Sequence, residues 1–145
     1  MSWSEALLTH ALSKSPATLL PAEVYLTSNA HFLAINDLYP KSTFHNLILP
    51  RVPFTLKSGN TLQAQDLTNL QSFVKNQPKA VVLEVFESLE EMVGEVESMI
   101  RERMRKEKGW EWDVVWGFHA VPSMKVSSQA SIRLPGKERA IDCQC

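Results

Sequence analysis

Between Pro78 and Lys108 the apolar letters Val82, Val85, Phe86, Leu89, Met92, Val93, Val96, Met99, Ile100 and Met104 recur every three or four positions, which predicts one long helix. Gly109 marks its end. Glu84, Glu87, Glu90, Glu91, Glu95 and Glu97 lie in its earlier part and Arg101, Arg103, Arg105, Lys106 and Lys108 at its end, the order of sign that the helix dipole favours. Gly94 costs about 1 kcal/mol against alanine in a helix interior, so it predicts a bend or a close backbone contact there. The stretch 4–13 sets Leu7, Leu8, Ala11 and Leu12 on one face of a short amphipathic helix, with Ser4 as N-cap and Pro16 beyond its end. His10 lies near that face and reads as a partly buried helix histidine.

Three apolar runs, "VYLTS", "HFLAIN" and "HNLILP", occupy 24–28, 31–36 and 45–50 and predict three antiparallel strands. Pro53 and Gly59 then mark a loop, after which Leu62, Leu67, Leu70, Phe73 and Val74 predict a second helix ending before Pro78. "WEWDVVWGFHA" reads as a strand, with Trp112, Val114 and Trp116 alternating against Asp113, Val115 and Gly117. Beyond Met124 the chain turns polar and rich in small residues, with only Ala130, Ile132 and Leu134 in faint alternation. That spacing suits a half-buried strand added along a vacant sheet edge, and the alternative is a tail that hangs loose.

At 145 residues, 44% hydrophobic and 21% charged, the chain has the size of one domain with an ordinary core. A formal net charge of -1 gives no general attraction to nucleic acid or to anionic membrane. Cys143 and Cys145 stand too close for an ordinary disulfide and one residue short of a metal knuckle, which points to a reducing compartment and no metal site. No basic leader precedes an apolar segment, and no run of about 18 apolar residues occurs, so the expectation is a soluble protein without a membrane partner.

The loop "NDLYPKSTFHNLILPR" gathers Asp37, Lys41, Ser42 and His45 beside a strand end. A carboxylate there can accept two vicinal ribose hydroxyls, while the lysine and hydroxyls can face phosphate oxygens. Composition alone favours the alternative of a solvated turn. His119, flanked by Gly117 and followed by "PS" at 122–123, can donate to a phosphoryl oxygen, or it can be a hydrogen-bonded structural histidine. The basic cluster 101–108 followed by Trp110, Trp112 and Trp116 can form a nucleic-acid face. The stronger reading makes the cations dipole partners and the tryptophans core. No P-loop, zinc-ligand spacing or nucleophile elbow is present.

Together, "DLYPKSTFHNLILPR" and "GFHAVPSM" resemble the histidine-triad superfamily, and within it the aprataxin branch of DNA-repair deadenylases. The first stretch matches the pattern D-x-x-P-x-x-x-x-H-x-L-x-x-P at Asp37, Pro40, His45, Leu47 and Pro50. The second is characteristic of the aprataxin branch, and the resemblance spans about residues 24–124. It implies an α+β fold with an antiparallel sheet of about five strands, flanking helices and a nucleotide pocket at one edge, formed by residues 1–124. It implies removal of AMP from 5′-adenylated DNA through a covalent histidine-AMP intermediate, without a cofactor, in the nucleus. By position, Asp37 would hold the ribose hydroxyls, Lys41 and Ser123 would contact phosphate or DNA backbone, and His119 would stabilise the phosphate or leaving group. His119 and Ser123 would then meet Asp37 and Lys41 at one sheet edge.

The departure from the family follows at once. Shortly after "PSM" the family runs into H-φ-H-φ-H on its last strand, with the nucleophile in the middle, and here those positions are Val126, Ser128 and Ala130. A serine hydroxyl titrates far above neutrality and has no evident base beside it, so it cannot replace the imidazole. The zinc module of aprataxins is missing as well, which weakens the expected hold on DNA. The expectation is a binding pocket without turnover, with a non-catalytic nucleotide-binding or interaction module as the alternative. Residues 125–145 then form a divergent tail in which the last strand of the fold is missing or replaced. Val126-Ser127 can be encoded GTAAGT, the form of a 5′ intron boundary, so the tail is expected to be translated intron.

Overall fold

The computed structural model describes residues 3–37, 44–67, 69–118 and 130–133. Helix α1 (Trp3–Ala11) and the short α2 (Pro16–Leu19) lead into three strands, β1 (Tyr25–Ser28), β2 (Phe32–Asn36) and β3 (Asn46–Pro50). A hairpin of β4 (Phe54–Thr55) and β5 (Thr61–Leu62) follows, then a 3-10 turn (Ala64–Leu67), α3 (Leu70–Asn76) and the long α4 (Lys79–Lys108). Strands β6 (Val115–Phe118) and β7 (Ala130–Arg133) close the described chain. The main sheet has the order β1-β2-β3-β7-β6 and every neighbouring pair in it is antiparallel.

Strands β2 and β3 are buried on both faces, which explains why they read as continuous apolar runs rather than as clean alternation. Phe32, Ala34 and Ile48 face a core shared with Val85, Leu89, Met92, Val96, Ile100 and Met104 of α4. Leu33, Ile35, Leu47 and Leu49 pack on the other face with Leu20, Val24 and Tyr25. The turn from β1 to β2 is held by Asn29, whose side-chain oxygen accepts from the backbone N–H groups of His31 at 2.8 Å and Phe32 at 2.7 Å. This is the local bonding for which asparagine is favoured in turns.

The long helix runs as its periodicity requires. It ends at Gly109, whose φ of 77° is the left-handed cap that a residue without Cβ adopts freely. At Gly94, by contrast, an added Cβ would meet no atom within 4 Å, so the close contact expected there is absent.

Four expectations need correction. Helix α1 stops at Ala11, leaving Leu12 exposed, and Pro16 opens a second helix, as its missing N–H allows at a first position. Leu62 belongs to β5 rather than to the second helix, which begins at Leu70 because Asn69 caps it by accepting from the Ser72 N–H at 3.1 Å. The strand near the tryptophans starts only at Val115, with Trp110, Trp112 and Trp116 left 56%, 37% and 45% exposed. The core there is made instead by Val114 and Phe118, the latter edge-on to Phe86 at 5.7 Å. Finally, the tail strand takes an interior place between β3 and β6 rather than an edge. Leu134, Cys143 and Cys145 lie outside the described residues.

Candidate functional site

Strands β2 and β3 pair through the row Asn36 opposite Asn46, and the ladder continues one residue further, where the Asp37 N–H donates to the His45 carbonyl at 3.0 Å. There the two side chains meet. His45 Nδ1 lies 2.8 Å from Asp37 Oδ2, with the side chains 8% and 11% exposed. Because an ionised carboxylate only accepts, the nitrogen at this contact carries the hydrogen, in the neutral ring as in the cation. Thus two residues eight apart, joined by the loop of the first motif, are tied by main chain and side chain together.

Beside this pair, Asn46 is 1% exposed and donates from Nδ2 to Asn36 Oδ1 at 2.7 Å. Its own Oδ1 is buried without a hydrogen-bond partner. Asn36 in turn donates to the Glu23 carbonyl at 2.9 Å, so this end of the sheet is fastened to the segment before β1. Arg51, just past the first motif, is committed elsewhere. Its guanidinium donates to the carbonyls of Asn29, Ser13 and Lys14 at 2.8, 3.3 and 3.0 Å, binding the end of α1 to the β1–β2 turn.

The register relates the two motifs through β7. Asn46 faces Ile132, which faces Trp116, and Ile48 faces Ala130, which faces Phe118. Phe118, the residue before His119, therefore stands level with the middle of β3, two strands across from it. Lys41, Ser42, His119 and Ser123 lie outside the described residues, and so does the expected meeting of His119 and Ser123 with Asp37 and Lys41. Asp37 is the proposed site residue that the structure describes. His45, visible in the first motif but given no role from sequence, is its direct partner.

The basic end of α4 is paired internally. Arg101 binds Glu97 at 2.8 Å and reaches Glu111 at 3.6 Å, and hydrogen bonding by Glu97 raises its pKa above the ordinary arginine value. Arg105 meets Glu111 at 2.6 Å, Arg103 meets Glu107 at 3.3 Å and Lys106 meets Glu102 at 2.9 Å. The Arg103 guanidinium also lies 5.1 Å from the centre of the Phe44 ring, next to His45. Four of the five cations between 101 and 108 thus have an acidic neighbour, which offsets their charge locally beside the exposed tryptophans. Among the described residues, no three His, Cys, Asp or Glu side chains group so as to hold a metal, and no helix is long and apolar enough to cross a membrane.

No family model matches the sequence. No curated protein matches it either. Among solved structures, a chain named Hnt3 superposes with a TM-score of 0.55 at 18% identity, over 92% of this chain and 62% of that one. This chain thus spans less than two thirds of the Hnt3 length. A histidine triad protein from Clostridium difficile aligns with a TM-score of 0.40 at 14% identity, over 88% of this chain and 92% of that one. The five-stranded antiparallel sheet with its flanking helices is the histidine-triad-like α+β fold that the two motifs imply.

Proposed function

We propose that this chain is a nucleoside-phosphate-binding domain of the aprataxin-like kind, descended from hydrolases that remove AMP from 5′-adenylated DNA, which binds AMP without turning it over. The observation that carries the reading is the Asp37 carboxylate, held at the end of β2 by His45 within the first family motif. A carboxylate acceptor at that position suits the vicinal hydroxyls of a ribose. Lys41, His119 and Ser123 are assigned to the phosphate or to the DNA backbone through the same motifs. AMP or an adenylated DNA end is the expected partner, and the nucleus is the expected compartment.

The loss of turnover rests on the tail. Ser128 stands at the nucleophile position of the family strand. Removal of a covalent nucleophile takes away the reaction path and can cost about a million-fold in rate, which phosphate contacts do not restore. The test has two arms. Calorimetric titration with AMP should show binding that Asp37→Ala weakens, and incubation with 5′-adenylated nicked DNA should release no AMP above the buffer background. A chain continued after Met124 into an H-φ-H-φ-H strand should release it. Absence of AMP binding would overturn the nucleotide reading, and turnover abolished by Ser128→Ala would overturn the claim that the nucleophile is lost. For the origin of the tail, the transcript decides: a continuous message with no H-φ-H-φ-H exon in the genomic sequence just downstream refutes translated intron.

A further inference from the structure

Gly94 lies at the middle of α4 (Lys79–Lys108), exposed, with no atom close enough to meet an added Cβ. Glycine inside a helix is destabilising by about 1 kcal/mol against alanine, and no contact within the described chain requires it there. One turn on, Ser98 bonds its hydroxyl back to the Gly94 carbonyl at 3.0 Å, so the helix surface stays low over both residues. At 3.6 residues per turn, the arc within about 40° of Gly94 carries Leu83, Glu87 and Glu90 before it and Ser98, Arg101, Arg105 and Lys108 after it, all exposed except the half-buried Arg101. The arc is acidic on one side of Gly94 and basic on the other. Among the described residues Glu87, Glu90 and Lys108 make no ion pair, while Arg101 and Arg105 share Glu111 at 3.6 and 2.6 Å and Arg105 stays 61% exposed.

We infer that this face of α4 is the contact surface for a second copy of the chain, the two helices crossing antiparallel with Gly94 against Gly94. A two-fold axis through that point exchanges the acidic and basic halves, so one surface is its own complement. Glu87, seven residues before Gly94, comes opposite Arg101 of the second copy, seven after it, and Glu90 comes within one turn of the same arginine. Leu83, eleven residues before, lies against the aliphatic stem of Arg105, eleven after. A parallel pairing would instead set Glu87 and Glu90 against their own copies, so the order of charge commits the pair to the antiparallel sense. Small residues at the crossing let the helix axes approach closely. One helix face is an interface of the size that forms transient complexes, so the pair assembles at high protein concentration and separates on dilution.

Sedimentation equilibrium of the full chain tests this, at about 1 and about 200 μM protein and in about 0.01 M and about 1 M sodium chloride. At low salt the dimer should grow with concentration, and at high salt, where the Debye length falls from about 30 to about 3 Å, its association constant should drop by about tenfold or more. The double variants Glu87→Arg with Glu90→Arg and Arg105→Glu with Lys108→Glu should each stay monomeric, because each brings like charges together. Their equimolar mixture should dimerise again, as a basic face meets an acidic one. Gly94→Gln keeps helix propensity but fills the crossing point, and it should weaken association by about tenfold or more while its circular dichroism is unchanged. A monomer at the highest concentration in low salt overturns the inference, and so does a dimer that ignores salt or survives in both double variants. A mixture of the two folded variants that stays monomeric overturns it as well. If either charge variant fails to fold, Gly94→Gln decides, and undiminished dimerisation there refutes the crossing at Gly94.

Discussion

Ala130 of β7 lies directly opposite Ile48 of β3, and on its other side it faces Phe118 of β6. The polar tail thus supplies the strand that joins the β1-β2-β3 meander to β6, in the middle of a five-stranded sheet. Any device built on β3 and β6 together depends on this strand.

Removing residues 125–145 should therefore cost the fold more than the loss of a terminal strand would. The cut leaves both β3 and β6 with unpaired backbone groups, and bare strand edges pair with other chains. The shortened chain should unfold at lower denaturant than the full one and should self-associate, as size-exclusion chromatography and urea titration would show. A monomer with unchanged midpoint would mean that β7 contributes nothing to the sheet.

Substitutions along α4 should divide sharply by face. Ile100 is fully buried in the core against the sheet, so Ile100→Ala should cost about 2–5 kcal/mol through lost contacts and the cavity left behind. Leu83, on the same helix, is 49% exposed, and Leu83→Ala should stay within about 0.5 kcal/mol of the original. Urea titrations of the two variants read the difference.

Gly94→Ala should stabilise the protein. The site is exposed in the interior of α4 and an added Cβ touches nothing, so the substitution removes the flexibility of glycine in the unfolded chain without a clash. The gain should be about 1 kcal/mol, seen as a rise of about 2–4 °C in Tm by calorimetry. A fall in Tm would show that the helix needs glycine there.

His10 should make stability fall in mild acid. Burial on α1 disfavours its charged form and lowers its pKa from 6.5, so between the lowered folded value and 6.5 the unfolded chain binds more protons than the folded one. Its contribution is complete above pH 6.5 and is lost as pH falls from there through the folded pKa. Replacing His10 by Gln should flatten the pH profile of the urea midpoint in that window. An unchanged profile would assign the acid sensitivity to other groups.

By itself the sequence determined the parts of this protein that depend on spacing along the chain. The long helix follows from apolar recurrence over 30 residues, and its stop from a glycine able to take positive φ. The first three strands follow from short apolar runs bounded by turn residues, and the family motifs anticipated the antiparallel α+β fold into which all of these pack. Residue spacing also placed Asp37 and His45 in one motif, but it could not tell a solvated turn from a carboxylate locked by a ring nitrogen, because that contact exists only once β2 and β3 are in register. Tertiary structure likewise decided the fate of the tryptophans, since alternation says which residues share a face but not whether that face meets the core or water. It decided as well that a polar tail lies inside a sheet. A strand with weak side-chain pattern can occupy an interior place when its backbone N–H and C=O groups complete ladders on both sides, and that demand comes from β3 and β6, not from the tail's own letters.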